Sequence, residues 1–260
     1  MLALRSFAPV FYNICRCRYS IFVVLFSELL DMNKVSLNKS KRAGKILAVL
    51  CKEYPNAKIA LKYNNNIQLL VAVILSAQCT DKKVNEVTEK IFKKYKTTSD
   101  FAKADIKVFE QVIRSTGFYR AKARNIIASC GIIDKRYGSR VPDTMKEILT
   151  LPGVARKTAN VVLGNAYGIV EGIAVDTHVR RLSRRMGFTA EENPVKIEQD
   201  LMALFPKKDW FKLTYTLIDH GRAVCKAPTP LCEICPVNKT CPTGIQRLKK
   251  SGKKKSPYAK

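Results

Sequence analysis

Residues Leu151 to His178 read LPGVARKTANVVLGNAYGIVEGIAVDTH, and in this stretch two helices begin at two successive reversals of the chain. Leu151 to Ala155 form a tight turn: Pro152 and Gly153 interrupt the preceding helical pattern, and Gly153 can take the positive φ that a sharp reversal needs. The helix that follows carries Arg156 and Lys157 in its first turn, the unfavourable end for a cation because the free N–H groups and the positive pole lie there. Backbone donors and cationic side chains converging on one point suit a phosphate. An amine held against the positive pole of a helix also gives up its proton more readily, and a neutral amine is a nucleophile. At the second reversal Ala174 and Val175 lead in, Asp176 caps, and Val179, Leu182 and Met186 continue at helical spacing. Taken alone, such an aspartate reads as an N-cap.

Outward from this stretch the chain is helical and shows no sustained alternation of apolar and polar residues, so the fold class is all-α. Ala43, Ile46, Leu47, Leu50 and Tyr54 make one face, stopped by Pro55. Ile67 to Ala77 is apolar nearly all round and marks a central buried helix. Val84, Val87, Ile91 and Tyr95, then Ile106, Phe109 and Ile113, then Ala123, Ile126, Cys130 and Ile133 each line an inward face. Asn193-Pro194 opens a helix and another runs from about Trp210 to His220. His178 reads as a residue that orients the loop around Asp176, and His220 as a charge partner at a helix end. Residues 1–32 stand apart, with Arg5, Arg16 and Arg18 ahead of any acidic residue and an apolar run from Ile21 to Phe26 too short to span a bilayer. They read as a targeting segment or an over-extended start. Residues 246–260 contain no acidic residue and read as a disordered basic tail.

Lys plus Arg number 47 against 21 Asp plus Glu, a formal charge of +26 over 260 residues, which calls for a polyanionic partner. The basic residues are spread through the chain instead of lining one amphipathic helix, which favours nucleic acid over a membrane surface. The nine cysteines are unevenly placed, and an odd total in a long chain argues for a reducing, intracellular compartment. Cys225, Cys232, Cys235 and Cys241 are bunched after a helix with six, two and five residues between them. Four thiolates so close are metal ligands; zinc and an iron-sulfur cluster share that chemistry, and on spacing alone zinc is the commoner choice.

LPGVARKTAN followed by VDTH, the junction Ser76-Ala77-Gln78-Cys79-Thr80-Asp81 and the cysteine spacing together resemble the endonuclease III branch of the helix-hairpin-helix DNA repair glycosylases. The resemblance covers about Lys34 to Cys241. It implies two all-helical domains with the active site in the cleft between them: residues 58–168 as a six-helix domain ending in the hairpin, and residues 33–57 with 169–245 as a cluster-bearing domain. It also implies that Lys157 is the nucleophile and Asp176 its assistant, and that Gly153, Ala155 and Arg156 meet the DNA backbone. Gln78 and Phe118 would fill the gap left by an extruded nucleotide, and Cys225, Cys232, Cys235 and Cys241 would hold a [4Fe-4S] cluster. The activity implied is that of a monomeric bifunctional DNA glycosylase and AP lyase acting on oxidised pyrimidines in damaged double-stranded DNA, away from membranes. Two positions depart from the family pattern. Ala155 stands where a second hairpin glycine is common, an exchange expected to strain the backbone or shift the phosphate approach. Phe118 stands where leucine is familiar, and a larger stacking side chain serves the same purpose. A monofunctional adenine glycosylase lacks the hairpin lysine, and a hairpin that only grips DNA has no use for Asp176 or the extrusion residues.

Overall fold

Apolar periodicity becomes helix after helix, with no strand among residues 37–252, which the computed structural model describes. Readings that fall on 1–36 and 253–260, including the N-terminal extension and the end of the basic tail, lie outside them. The first helix, α1 (37–53), is followed by α2 (Asn66–Leu75), α3 (Asp81–Lys94), α4 (Thr98–Ala102), α5 (Ile106–Ile113), α6 (Tyr119–Arg136), α7 (Met145–Ile148) and α8 (Arg156–Tyr167). Then come α9 (Thr177–Arg185), α10 (Pro194–Leu204), α11 (Lys207–Ala223) and α12 (Pro242–Gly252).

The central helix of the first core is α2, as its sequence requires: every residue from Ile67 to Leu75 is buried. Asn65 caps it, Oδ1 accepting from Gln68 N at 2.9 Å, while Gln68 Oε1 accepts from Asn64 N at 3.0 Å. Helices α3, α6 and α8 pack on α2, with α4 and α5 on α6 and α7 on α8. Each fully buried Leu, Ile or Val in such a core contributes roughly 1.5–3 kcal/mol over its exposed state.

Helix α1 does not join these neighbours. Its buried face, Ala43, Ile46, Leu47 and Leu50, belongs to a second core made with α9, α10 and α11. Arg42 fastens it there, Nη1 and Nη2 donating to Met186 O at 2.6 Å and Gly187 O at 3.0 Å, the free carbonyls at the end of α9. The chain therefore crosses between cores after α1 and again after α8, and the second crossing carries it from the helix of Lys157 to the cap of α9 at Asp176.

The short helices α4 and α7 are fixed by their caps, Thr97 with Asp100 and Thr144 with Glu147, the latter pair at the spacing that marks a helix start in sequence. Two local readings differ from the structure. Ile106, expected to face inward, is exposed at the first position of α5, where Asp105 caps the helix. The basic tail, read as disordered from residue 246, continues as helix to Gly252, because α12 starts at Pro242 and Thr243 Oγ1 anchors it to Arg185 O at 2.8 Å.

Candidate active site

The hairpin between α7 and α8 is held from beneath by α6. Ser129 Oγ donates to Pro152 O at 2.8 Å. Gly153 has φ 77°, and a Cβ there would stand 2.7 Å from Asn125 Nδ2 and 2.9 Å from its Cβ, so this tip needs glycine for conformation and for room. Ala155 is the N-cap of α8 at φ −90°, ψ 169°, an extended geometry any residue adopts, so the strain expected from alanine is absent. No side chain caps α8, which leaves its first N–H groups to a ligand.

Lys157 rises from the first turn of α8 and lines a cavity of about 240 Å³ together with Asp176. Both also line a wider adjoining groove of about 620 Å³, which carries Gln78. Asp176 is the cap that its sequence announced, Oδ1 accepting from Val179 N at 2.7 Å, and it is at the same time a half-buried wall of the cavity. Local chain chemistry aims the carboxylate, and the crossing between cores brings it to the lysine. Phe118 lies outside these two cavities and is 66% exposed, the opposite of core packing. Gln78 and Phe118 share one feature: both are non-glycine residues in the left-handed region, at φ 54° and 49°.

Several residues of the site carry no sequence motif. Asp81 and Arg222, from α3 and α11, form an ion pair across the two cores and line both cavities. Tyr215 lines the smaller cavity and receives Asn165 Nδ2 on its Oη at 2.6 Å; burial pushes its phenol up to about 12, so it faces the cavity neutral. Glu198 of α10 is a buried carboxylate that joins three pieces: Arg156 Nε donates to Oε2 at 2.9 Å, Asn160 Nδ2 to Oε1 at 2.9 Å and Ile173 N to Oε1 at 3.2 Å. It thus ties the start of α8 to the segment leading into Asp176, and Arg156, read from sequence as a DNA contact, commits its Nε to this network. A Cβ at Gly172 would meet Glu198 Oε1 at 2.0 Å, which leaves glycine as the residue that fits. Glu198→Ala leaves buried donors without an acceptor and is expected to lower stability by about 3 kcal/mol. A melting temperature within a degree or two of the wild type would show that the network carries no such load.

Along α9, Thr177, Arg180, Arg181, Arg184 and Arg185 line a third groove, of about 840 Å³, and Thr177 is shared with the groove of Gln78. These residues were not singled out in sequence; their spacing of three and four is the signal that marks one helix face. Arg181 Nη2 donates to His178 Nδ1 at 3.2 Å, and burial lowers the His178 imidazole against the pull of Asp176. His220 is fully buried; its Nδ1 meets Tyr54 Oη at 3.1 Å and its Nε2 meets Cys235 Sγ at 3.6 Å. Burial lowers it to about 4, so it is a neutral packing residue and not the helix-end cation expected from sequence.

Cys225, Cys232, Cys235 and Cys241 line one small cavity beside α9, α11 and α12. Arg185 Nη1 stands 3.5 Å from Cys225 Sγ, and Cys241 Sγ donates to Arg185 O at 3.4 Å. Burial raises Cys232, Cys235 (to about 11) and Cys241, and their cysteine neighbours add to the rise, so these three thiols ionise readily only against added positive charge. Among the described residues no group of three or more His, Cys, Asp or Glu side chains has the arrangement that a single metal ion takes.

The chain resembles known proteins in sequence and in fold. Residues 71–207 match the HhH-GPD superfamily of base excision DNA repair proteins. Endonuclease III of Synechocystis is 50% identical over 206 residues, covering 79% of this chain and 94% of the relative. Endonuclease III of Bacillus subtilis is 44% identical over 198 residues, 76% of this chain and 90% of the relative. Among solved structures, a trapped endonuclease III-DNA covalent intermediate superposes with a TM-score of 0.76 at 42% identity, over 80% of this chain and 98% of that one. A non-covalent endonuclease III-DNA complex gives 0.77 at 42% identity, over 81% and 98%.

Proposed function

The chain belongs to the HhH-GPD superfamily of base excision DNA repair proteins, in its endonuclease III branch, and from that membership we propose that one site both removes an oxidised pyrimidine from duplex DNA and cuts the strand. As an endonuclease III relative it is a DNA glycosylase of base excision repair. The observation that supports the bifunctional reading is the meeting of Lys157 and Asp176, supplied by two different cores, in one cavity.

In this reading Lys157 Nζ, once deprotonated, attacks C1′ of the damaged nucleotide, the bond from C1′ to the base breaks, and the base leaves with the bonding pair and takes up a proton. Asp176 accepts the proton shed by the amine and faces the positive charge that grows on the sugar. The sugar ring then opens: the C1′–O4′ bond breaks, O4′ takes up a proton, and an imine joins Nζ to C1′. The imine acidifies the hydrogen on C2′; its removal breaks the C3′–O bond and expels the 3′ phosphate by β-elimination, and water then frees the lysine. Gln78 and Phe118 occupy the vacancy in the duplex, whose opening costs a few kcal/mol. The open N-terminus of α8 with Gly153, Ala155 and Arg156 takes a backbone phosphate.

Cys225, Cys232, Cys235 and Cys241, gathered around one cavity, would hold a [4Fe-4S] cluster, which would fasten the loop between α11 and α12. The purified protein should carry about four irons and four sulfides per chain, and Cys235→Ser should lower soluble yield and DNA affinity together. Stoichiometric zinc without iron in protein prepared away from air would overturn this assignment. The two cores are taken as the two domains, 58–168 and 33–57 with 169–245. The protein works as a monomer on double-stranded DNA inside the cell; no described helix is long and apolar enough to cross a membrane.

The deciding experiment is single-turnover incubation with thymine-glycol and abasic duplexes, with and without borohydride. The reading expects base release, strand cutting and a covalent protein-DNA adduct together. Base release with no adduct and no cutting would leave a monofunctional glycosylase.

A further inference from the structure

Lys122 lies in the first turns of α6 and is 5% exposed, the most buried ammonium of the site's surroundings. Its Nζ donates to Leu75 O at 2.8 Å and to Thr116 O at 2.8 Å. Leu75 is the last residue of α2, and Thr116 is the last residue of a short 3-10 turn, Arg114–Thr116. Carbonyls at such ends lack partners within their own helix, and the end of α2 is also its negative pole, so a single cation answers both needs.

The residues just beyond each carbonyl give the contact its meaning. Three residues past Leu75 comes Gln78, and two past Thr116 comes Phe118, both exposed and both left-handed. A non-glycine residue keeps that conformation only where its surroundings hold it. Thr116 Oγ1 adds a local bond to Ile113 O at 2.8 Å, but Lys122 is the side chain that joins the two loops to one another. An unpaired buried ammonium would be costly, and the amine of Lys122 is indeed lowered by its burial, opposed by the nearby Cys79.

We propose that Lys122 is a positioning residue for nucleotide extrusion: bonded to Leu75 O and Thr116 O, it fixes the two loops so that Gln78 and Phe118 enter the duplex as one unit. The proposal rests on the glycosylase reading above and deepens it. It requires that losing Lys122 slow reactions that need a nucleotide turned out of a paired duplex, and spare those that do not.

The test compares the wild-type chain with Lys122→Met, of similar length without donors, and with Lys122→Gln, which keeps an amide donor without the charge. Base removal from a paired thymine-glycol duplex at saturating enzyme should fall about tenfold or more in Lys122→Met. Borohydride trapping on a single-stranded abasic oligonucleotide should stay at the wild-type level. Combined with Gln78→Ala, the Lys122→Met change should cost less than it does alone, since both act on one step. Equal losses on both substrates, or a fully additive double variant, would reduce Lys122 to a packing residue and overturn the proposal. So would a Lys122→Met protein that removes the paired base as the wild type does, or the failure of both variants to fold. A wild-type chain inactive on both substrates would remove the function itself, whereas an active chain indifferent to Lys122 would remove this inference alone.

Discussion

Lys157→Ala should leave no borohydride-trapped adduct on an abasic duplex while keeping most of the affinity for that duplex. The amine that lines the cavity with Asp176 is then gone, and catalysis through a covalent imine has no other route at that position. Under the proposed reading binding persists because the groups offered to phosphates are distributed: the hairpin backbone, the arginines of α9 and the lysines of α12 remain in place. Base removal from thymine-glycol duplex should fall by on the order of a thousandfold or more, the scale on which loss of a nucleophile is felt. The protein should melt like the wild type, since Lys157 is exposed and opposes the dipole of its own helix. Efficient trapping by Lys157→Ala would mean that another amine reacts, and the assignment would have to be abandoned.

Asp176→Asn should behave differently, losing base excision by orders of magnitude while still forming part of the adduct at a preformed abasic aldehyde. Asparagine caps a helix about as well as aspartate, so the bond to Val179 N survives and α9 keeps its start. The change removes the charge that the proposed mechanism sets beside Lys157 and the sugar. Base departure builds positive charge on that sugar and needs the carboxylate most; an abasic aldehyde is already open to attack. Two assays on one variant therefore separate the two roles of this residue. Near-normal excision by Asp176→Asn would show that the carboxylate is a cap and nothing more.

The chain alone determined whatever depends on neighbours within a few residues. The all-round apolar run of α2, the inward faces of α1, α3 and α6, the Asn193-Pro194 start of α10 and the cap at Asp176 follow from helical periodicity and the need to satisfy the first N–H groups. The spacing of Cys225, Cys232, Cys235 and Cys241 and the reversal at Gly153 are of the same kind, set by the reach of a short loop and the freedom of one φ. Whether Asp176 was more than a cap was not contained in that information. It became so because α1 packs with the second half of the chain and turns the crossing after α8 into one wall of a cavity. The ion pair of Asp81 with Arg222 joins residues 141 positions apart, Glu198 reaches Arg156 across 42, and Lys122 reaches Leu75 across 47. A buried or half-buried charge is stable only when partners arrive from elsewhere in the fold, and no local pattern encodes which partners those will be. In sequence Lys122 is one lysine among many basic residues; tertiary packing alone makes it the side chain that links the loops of Gln78 and Phe118.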